Sequence, residues 1–246
     1  MRKRLSLLTL VFLLLFCTTP ASAADPIQVF YEGPDGNVLT ALSLSDTIEL
    51  VSDPLQADVF VLNGEIPDSD TVLKQVRLGA GLVLILGPDI SASDLEPFTG
   101  PVVVTVSEEP LSLVAAEGVT DPLITEITWT SSPQVRSRSV LSGEVSFLDP
   151  IIVGFEEPET LLSSGNLGEG QIFLLNIHLD GANPQLQDWA YFNYLIYHLA
   201  SQAAGLSPLD YASYRASPVP HEVDRAVLLS VMAGLVFLSF LIFWFV

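Results

Sequence analysis

The stretch AGLVLILGPDIS, Ala80 to Ser91, decides how the chain is read. Leu82 to Leu86 is an unbroken apolar run. A strand apolar on both faces belongs at the centre of a parallel sheet, where helices cover each side. Gly87, Pro88 and Asp89 then stop the run with residues suited to a turn. In doubly wound α/β folds, ligands and reacting groups sit in the crevice outside the carboxyl ends of such strands. Asp89 is therefore a candidate site residue by position.

The segments around this strand alternate. Upstream, IQVFY (Ile27 to Tyr31), TIELV (Thr47 to Val51) and ADVFVLNG (Ala57 to Gly64) read as strands, and GNVLTALSL as a short helix. DSDTVLKQVRLGAG reads as a helix with Asp70 as its N-cap, Val72, Leu73 and Val76 as its buried stripe, and Gly79 and Gly81 at its end. This order predicts an α/β fold, a mostly parallel sheet flanked by helices on both faces. Downstream, PVVVTVS, LITEITW, IIVGF and QIFLLNI read as further strands, the last two joined through the glycines of SSGNLGEG. NPQLQDWAYFNYLIYHLASQ reads as one amphipathic helix. Asn183 caps it, Pro184 fits its first turn, and Leu186, Trp189, Phe192, Ile196, Leu199 and Ala203 share a face.

The two ends are hydrophobic. MRKRLSLLTLVFLLLFCTTPASA has cations, an apolar stretch and small residues at Ala21 and Ala23, the pattern of a signal peptide over 1–23 cleaved before Ala24. Ala226 to Val246 carries no charge. At about 1.5 Å per residue it would span roughly 32 Å, so a single C-terminal transmembrane helix is expected, with a lipid-anchor signal as the alternative. Residues 24–204 would then form an extracytoplasmic α/β domain, and the proline-bearing segment 205–225 a stalk. The membrane is the expected partner of that helix, and the location a cell membrane with the domain outside the cytoplasm.

Composition narrows the function classes. Removal of Cys17 with the signal leaves no cysteine for a disulfide, a thiolate metal site or a cysteine nucleophile. The chain holds 9 Lys and Arg against 29 Asp and Glu. Losing Arg2, Lys3 and Arg4 leaves 6 cations against those 29 anions, a formal charge of −23. Such a surface repels nucleic acid and anionic headgroups. No Asn-x-Ser/Thr site occurs, which favours a bacterial source.

The succession ADVFVLNG…VLKQVRLGAGLVLILG resembles the glutamine amidotransferase-like branch of flavodoxin-like folds, and GEGQIFLLNIHLD looks like the closing hairpin of membrane-anchored members in bacterial envelope proteins. The resemblance covers most of Ile27 to Ala204. It implies a cysteine on the sharp turn after the opening strand, activated by histidine and oriented by a carboxylate. Gly87-Pro88-Asp89 offers no Cys, Ser or Thr, and Pro88 removes an N–H that an oxyanion would need. The resemblance therefore implies a pseudoenzyme.

Other candidates are few. His178 and Asp180 lie at a strand end near where the resemblance places its histidine, and are candidates for a small ligand or metal. The acidic groups Asp68 with Asp70, Glu108 with Glu109, and Glu156, Glu157 with Glu159 lack the spacing of a calcium loop. Neither a phosphate loop nor HExxH nor GxSxG is present, so neither cofactor nor metal is expected. Arg136 and Arg138, in the acid-free segment WTSSPQVRSRS, form either a docking loop for an acidic partner or an internal salt-bridge hub. The expected role is a non-catalytic binding or assembly domain, an auxiliary subunit of a transporter or envelope complex with a membrane-protein partner. The rival is a hydrolase or ligand-binding protein using His178 and Asp180.

Overall fold

A computed structural model describes residues 25–216 except 144, 146, 157, 158 and 180. Ten strands fall into two sheets. They are β1 (Ile27–Glu32), β2 (Ile48–Val51), β3 (Val59–Asn63), β4 (Gly81–Ile85), β5 (Val103–Ser107), β6 (Leu113–Ala115), β7 (Arg138–Ser142), β8 (Leu148–Gly154), β9 (Thr160–Leu167) and β10 (Gly170–Leu175). Eight form one sheet in the order β2-β1-β3-β4-β10-β9-β8-β6, while β5 and β7 make a separate two-stranded ribbon. Pairing is parallel from β2 through β10 and antiparallel from β10 to β6. The helices are α1 (Asn37–Ser43), α2 (Ser69–Arg77), α3 (Ala92–Thr99), α4 (Pro122–Glu126), α5 (Pro184–Gln187), α6 (Phe192–Ala203) and α7 (Tyr211–Ala216).

Every residue of β3 and β4 is buried, as the apolar run requires. The period of two along these strands divides the interior into two cores. Val59, Val61, Val83, Ile85, Phe173 and Leu175 face one side, packed with Val38 and Leu42 of α1 and Leu195, Ile196 and Leu199 of α6. Phe60, Leu62, Leu82, Leu84, Ile172 and Leu174 face the other, with Val72 and Val76 of α2 and Leu95 and Phe98 of α3. Gly81 is where the layers come closest. A Cβ there would lie 2.3 Å from the Ala203 carbonyl oxygen, so this glycine admits α6 to the sheet rather than ending α2.

Several expectations are corrected. The N-cap of α2 is Asp68, which accepts from the Thr71 amide at 3.4 Å and its hydroxyl at 2.6 Å. LITEITW forms α4 and a 3₁₀ turn rather than a strand. The Asp121 carboxylate accepts from the Leu123 amide at 2.8 Å and Pro122 occupies the first turn, together starting a helix. SSGNLGEG is not a reversal throughout: Ser163 to Leu167 belong to strand β9, in which Gly165 lets the Phe147 carbonyl approach to 2.1 Å of where a Cβ would stand, and Gly168 and Glu169 make the turn into β10. The long C-terminal helix is broken into α5 and α6. The first part of the expected stalk is docked: Tyr194 donates to the Leu209 carbonyl at 2.8 Å, the Leu209 amide donates to Tyr197 at 3.1 Å, and the Tyr197 and Tyr214 rings stack at 4.9 Å.

The fold class is thus corrected to mixed α/β with a mostly parallel eight-stranded sheet, without support among the described residues for the C-terminal transmembrane helix. Among the described residues no helix is long and apolar enough to cross a membrane. The expected span at 226–246 and the expected signal peptide at 1–23 lie outside the described residues.

Candidate functional site

The turn after β4 sits at the carboxyl edge of the parallel strands. Leu86 is held by donation from its amide to the Leu175 carbonyl at 2.9 Å, and Gly64, on the turn after β3, donates to the Ile85 carbonyl at 2.9 Å. These bonds press the two turns together. A Cβ on Gly87 would lie 2.8 Å from the Gly64 Cα, so the first residue of the turn on which the resemblance implies a nucleophile has no room for a side chain. Asp89, beyond Pro88, is exposed at the tip.

His178 lies past the end of β10 and is fully buried. Its Nδ1 is 2.9 Å from the Ser137 hydroxyl and its Nε2 2.8 Å from the Ser139 hydroxyl. Burial holds its pKa below the ordinary histidine value, so the ring is neutral, with one nitrogen donating and the other accepting. Asn183 closes this network instead of capping a helix. Its Oδ1 accepts from the Arg136 and Ser137 amides at 2.7 and 3.3 Å, and its Nδ2 donates to the Ser137 and His178 carbonyls at 2.7 and 2.8 Å. Asp180 lies outside the described residues.

The two arginines part company. Arg138 is 2 % exposed, and its Nε and Nη2 donate to the two Glu159 oxygens at 2.6 and 3.1 Å. Its Nη1 donates to the Glu109 carbonyl, so every nitrogen of the guanidinium is engaged inside the protein. Arg136 is exposed. Arg138 is the internal salt-bridge hub of the two alternatives, and Arg136 alone of the pair is presented to solvent. Of the acidic residues, Asp68 caps α2, and its bonds to the Thr71 hydroxyl and amide hold its carboxyl below the usual range. Among the described residues no three His, Cys, Asp or Glu side chains are grouped to hold a metal.

One cavity adjoins the Arg138–Glu159 pair, and another lies at the opposite end of β10. The first, of about 570 Å³, opens between the β5–β7 ribbon and the sheet, lined by Leu141, Leu148, Glu159, Ser163, Leu174 and Asn176 among others. The second, of about 360 Å³, lies by Glu126, Tyr194, His198 and Asp210. His198 is fully buried, its Nδ1 3.3 Å from the Tyr194 hydroxyl, and desolvation lowers its pKa to about 4 against a smaller opposing pull from Asp121. Asn176, Ser137 and Ser139 escape notice in the sequence, and Asn183 reads there only as a helix cap. Asn176 carried a usable signal, because an amide inside the apolar run QIFLLNI has to find hydrogen-bond partners when buried.

No family model matches the chain, and neither does any curated protein. Solved structures do. A cytoplasmic protein of Salmonella typhimurium LT2 aligns with a TM-score of 0.55 at 14% identity, over 72% of this chain and 99% of its own. A second cytoplasmic protein of Salmonella typhimurium aligns at 0.53 and 11%, over 75% and 100%. A ThuA-like protein of Parabacteroides merdae, of the glutamine amidotransferase-like class, aligns at 0.47 and 14%, over 76% and 96%. At these identities the likeness is one of fold.

Proposed function

We propose that the chain is an exported, non-catalytic binding or assembly domain on a glutamine amidotransferase-like fold, serving as an auxiliary component of an envelope complex. The observation that carries this reading is the setting of His178. A general base needs a lone pair within reach of a substrate proton. Here both ring nitrogens are taken up by Ser137 and Ser139 in a fully buried position. The turn after β4 supports the same reading by a separate route, because Gly87 has no space for a nucleophile. The signal-type N-terminus supports export. Exposed Arg136, a cation on a chain of net charge −20, supports docking of an acidic protein surface rather than nucleic acid.

One observation favours a second reading. Ser137 is only partly buried, and its hydroxyl lies 2.9 Å from His178 Nδ1, within reach of a serine–histidine pair. A fluorophosphonate, which phosphonylates an activated serine oxygen with loss of fluoride, separates the two. The non-catalytic reading expects no adduct on Ser137 or Ser139 by peptide mass spectrometry. An adduct on Ser137 that disappears in His178→Asn would put a hydrolase in its place. For the docking surface, a photo-crosslinking residue at 136 should trap one envelope protein in cells, and Arg136→Glu should weaken that association in pull-down.

A further inference from the structure

We infer that the cavity of about 570 Å³ beneath the β5–β7 ribbon binds a small uncharged molecule with an aliphatic body and a hydrogen-bond-donating head, of the primary amide or alcohol class. This rests on the reading of the chain as a binding domain and gives it a ligand class. The volume is that of a small-molecule site. Its walls are aliphatic: Val140, Leu141, Leu148 and Leu174 line it, and all but Leu174 are left only partly buried. An apolar ligand body would take that surface out of water.

The polar end fixes the head group. Asn176 is 2 % exposed, and its Nδ2 donates to the Thr160 carbonyl at 2.7 Å. Turning the amide over would set oxygen against oxygen, so the orientation is determined and Oδ1 is the atom left over. That oxygen is buried with no hydrogen-bond partner among the described residues. Glu159, beside it, presents carboxylate oxygens that each accept only one bond from Arg138 and retain lone pairs. The donors of Arg138 are already engaged. Thr160 and Ser163 also line the cavity, and their hydroxyls can accept as well as donate, so the unmet need at the polar end is that of the Asn176 oxygen for a donor from the ligand. A carboxylate ligand would meet lone pairs with its own. An ammonium gains no net countercharge, because Arg138 neutralises Glu159 and stands against it.

The test uses three probes of one length: hexanamide, hexanoate and hexylamine, followed at neutral pH by ligand-observed NMR. Hexanamide should bind the protein, with hexanoate and hexylamine each at least tenfold weaker. Leu148→Trp, which fills the cavity from a partly buried wall, should weaken hexanamide at least tenfold while the melting curve stays cooperative. If that variant does not fold, Leu141→Trp answers the same question from the ribbon side. Failure of wild type to bind hexanamide, equal or tighter binding of hexanoate or hexylamine, or undiminished binding by a folded tryptophan variant overturns the assignment. None of these results bears on the fluorophosphonate experiment, so loss of the site and loss of the non-catalytic reading are distinguishable.

Discussion

Stability between pH 7 and pH 4 should depend on one buried ring, His198. Its native pKa is about 4, against an ordinary value of 6.5. The native protein thus disfavours the proton that the unfolded chain takes up readily. Between these two values the unfolded state binds more protons, so stability rises with pH across the window and is lost as pH falls through it. A separation of about 2.5 units, at about 1.4 kcal/mol each, gives a loss of about 3 kcal/mol on going from pH 7 to pH 4. That is a large share of the stability of an ordinary domain. His198→Phe keeps a ring of similar shape against Tyr194 but cannot titrate. It gives up only the 3.3 Å bond to the Tyr194 hydroxyl, whose proton goes to the Leu209 carbonyl in any case.

Urea unfolding at pH 7, 5.5 and 4 should show the wild type losing about 3 kcal/mol more than His198→Phe over that range, with m unchanged. His178, also held below its ordinary value by burial, is present in both proteins and cancels in the difference. Asp68, Asp94 and Asp210 are held below the ordinary carboxylate range, chiefly by hydrogen bonds, so their contribution is lost at still lower pH and cancels too. Equal pH slopes for the two proteins would refute the account. So would a histidine NMR titration placing His198 near 6.5.

Other substitutions test the packing. Leu84→Asp puts a carboxylate at a fully buried position of β4 and should abolish cooperative unfolding, since an unpaired buried charge costs several kcal/mol; a wild-type melting curve would displace β4 from the core. Gly81→Ala should cost about 1–3 kcal/mol by urea unfolding, because its methyl meets the Ala203 carbonyl. Glu159→Leu should destabilise more than Arg138→Met. The first leaves a guanidinium 2 % exposed without its counter-ion, at about 3–5 kcal/mol, whereas the second leaves a carboxylate side chain that is 20 % exposed and partly hydrated; the reverse order would contradict the burial asymmetry of the pair.

The centre of the fold was legible because its physics is local. The apolar run Leu82 to Leu86, four of whose residues lie in β4, and the apolar stripe of α2 say what they are without reference to the rest of the chain. The errors lie where a side chain has two uses. Asn183 before Pro184 has the chemistry of a helix cap, yet the same amide atoms clamp residues 136, 137 and 178. Ser163 and Gly165 look like turn residues, but one sits on a cavity wall and the other under a neighbouring carbonyl. Arg138 could be placed in or out of the core only by finding Glu159, 21 residues further along and in no periodic relation to it. His198 stands four residues after Tyr194 in a helix, which predicts their contact but not the burial that makes the ring titrate low.

On the proposed non-catalytic reading, two unrelated physical causes keep the crevice at the strand ends from supporting catalysis, and together they are hard to reverse. At Gly87 the cause is steric: a cysteine there would bring its Cβ to 2.8 Å of Gly64 Cα, and the amide of Leu86 ties the turn to β10, so the chain cannot back away without breaking sheet bonds. At His178 the cause is electrostatic. Its nitrogens are satisfied by Ser137 and Ser139, and the segment carrying those serines is held by Asn183 and by the anchored guanidinium of Arg138. Freeing the ring would strand buried hydroxyls and amides, each at about 1–3 kcal/mol. Restoring either group alone therefore gains no reaction. The 570 Å³ cavity has the opposite character, since its unpaired Asn176 oxygen already bears the cost of burial and is relieved only when something donates to it. Satisfied groups in the crevice and an unsatisfied one beneath the ribbon are what the proposed binding role requires.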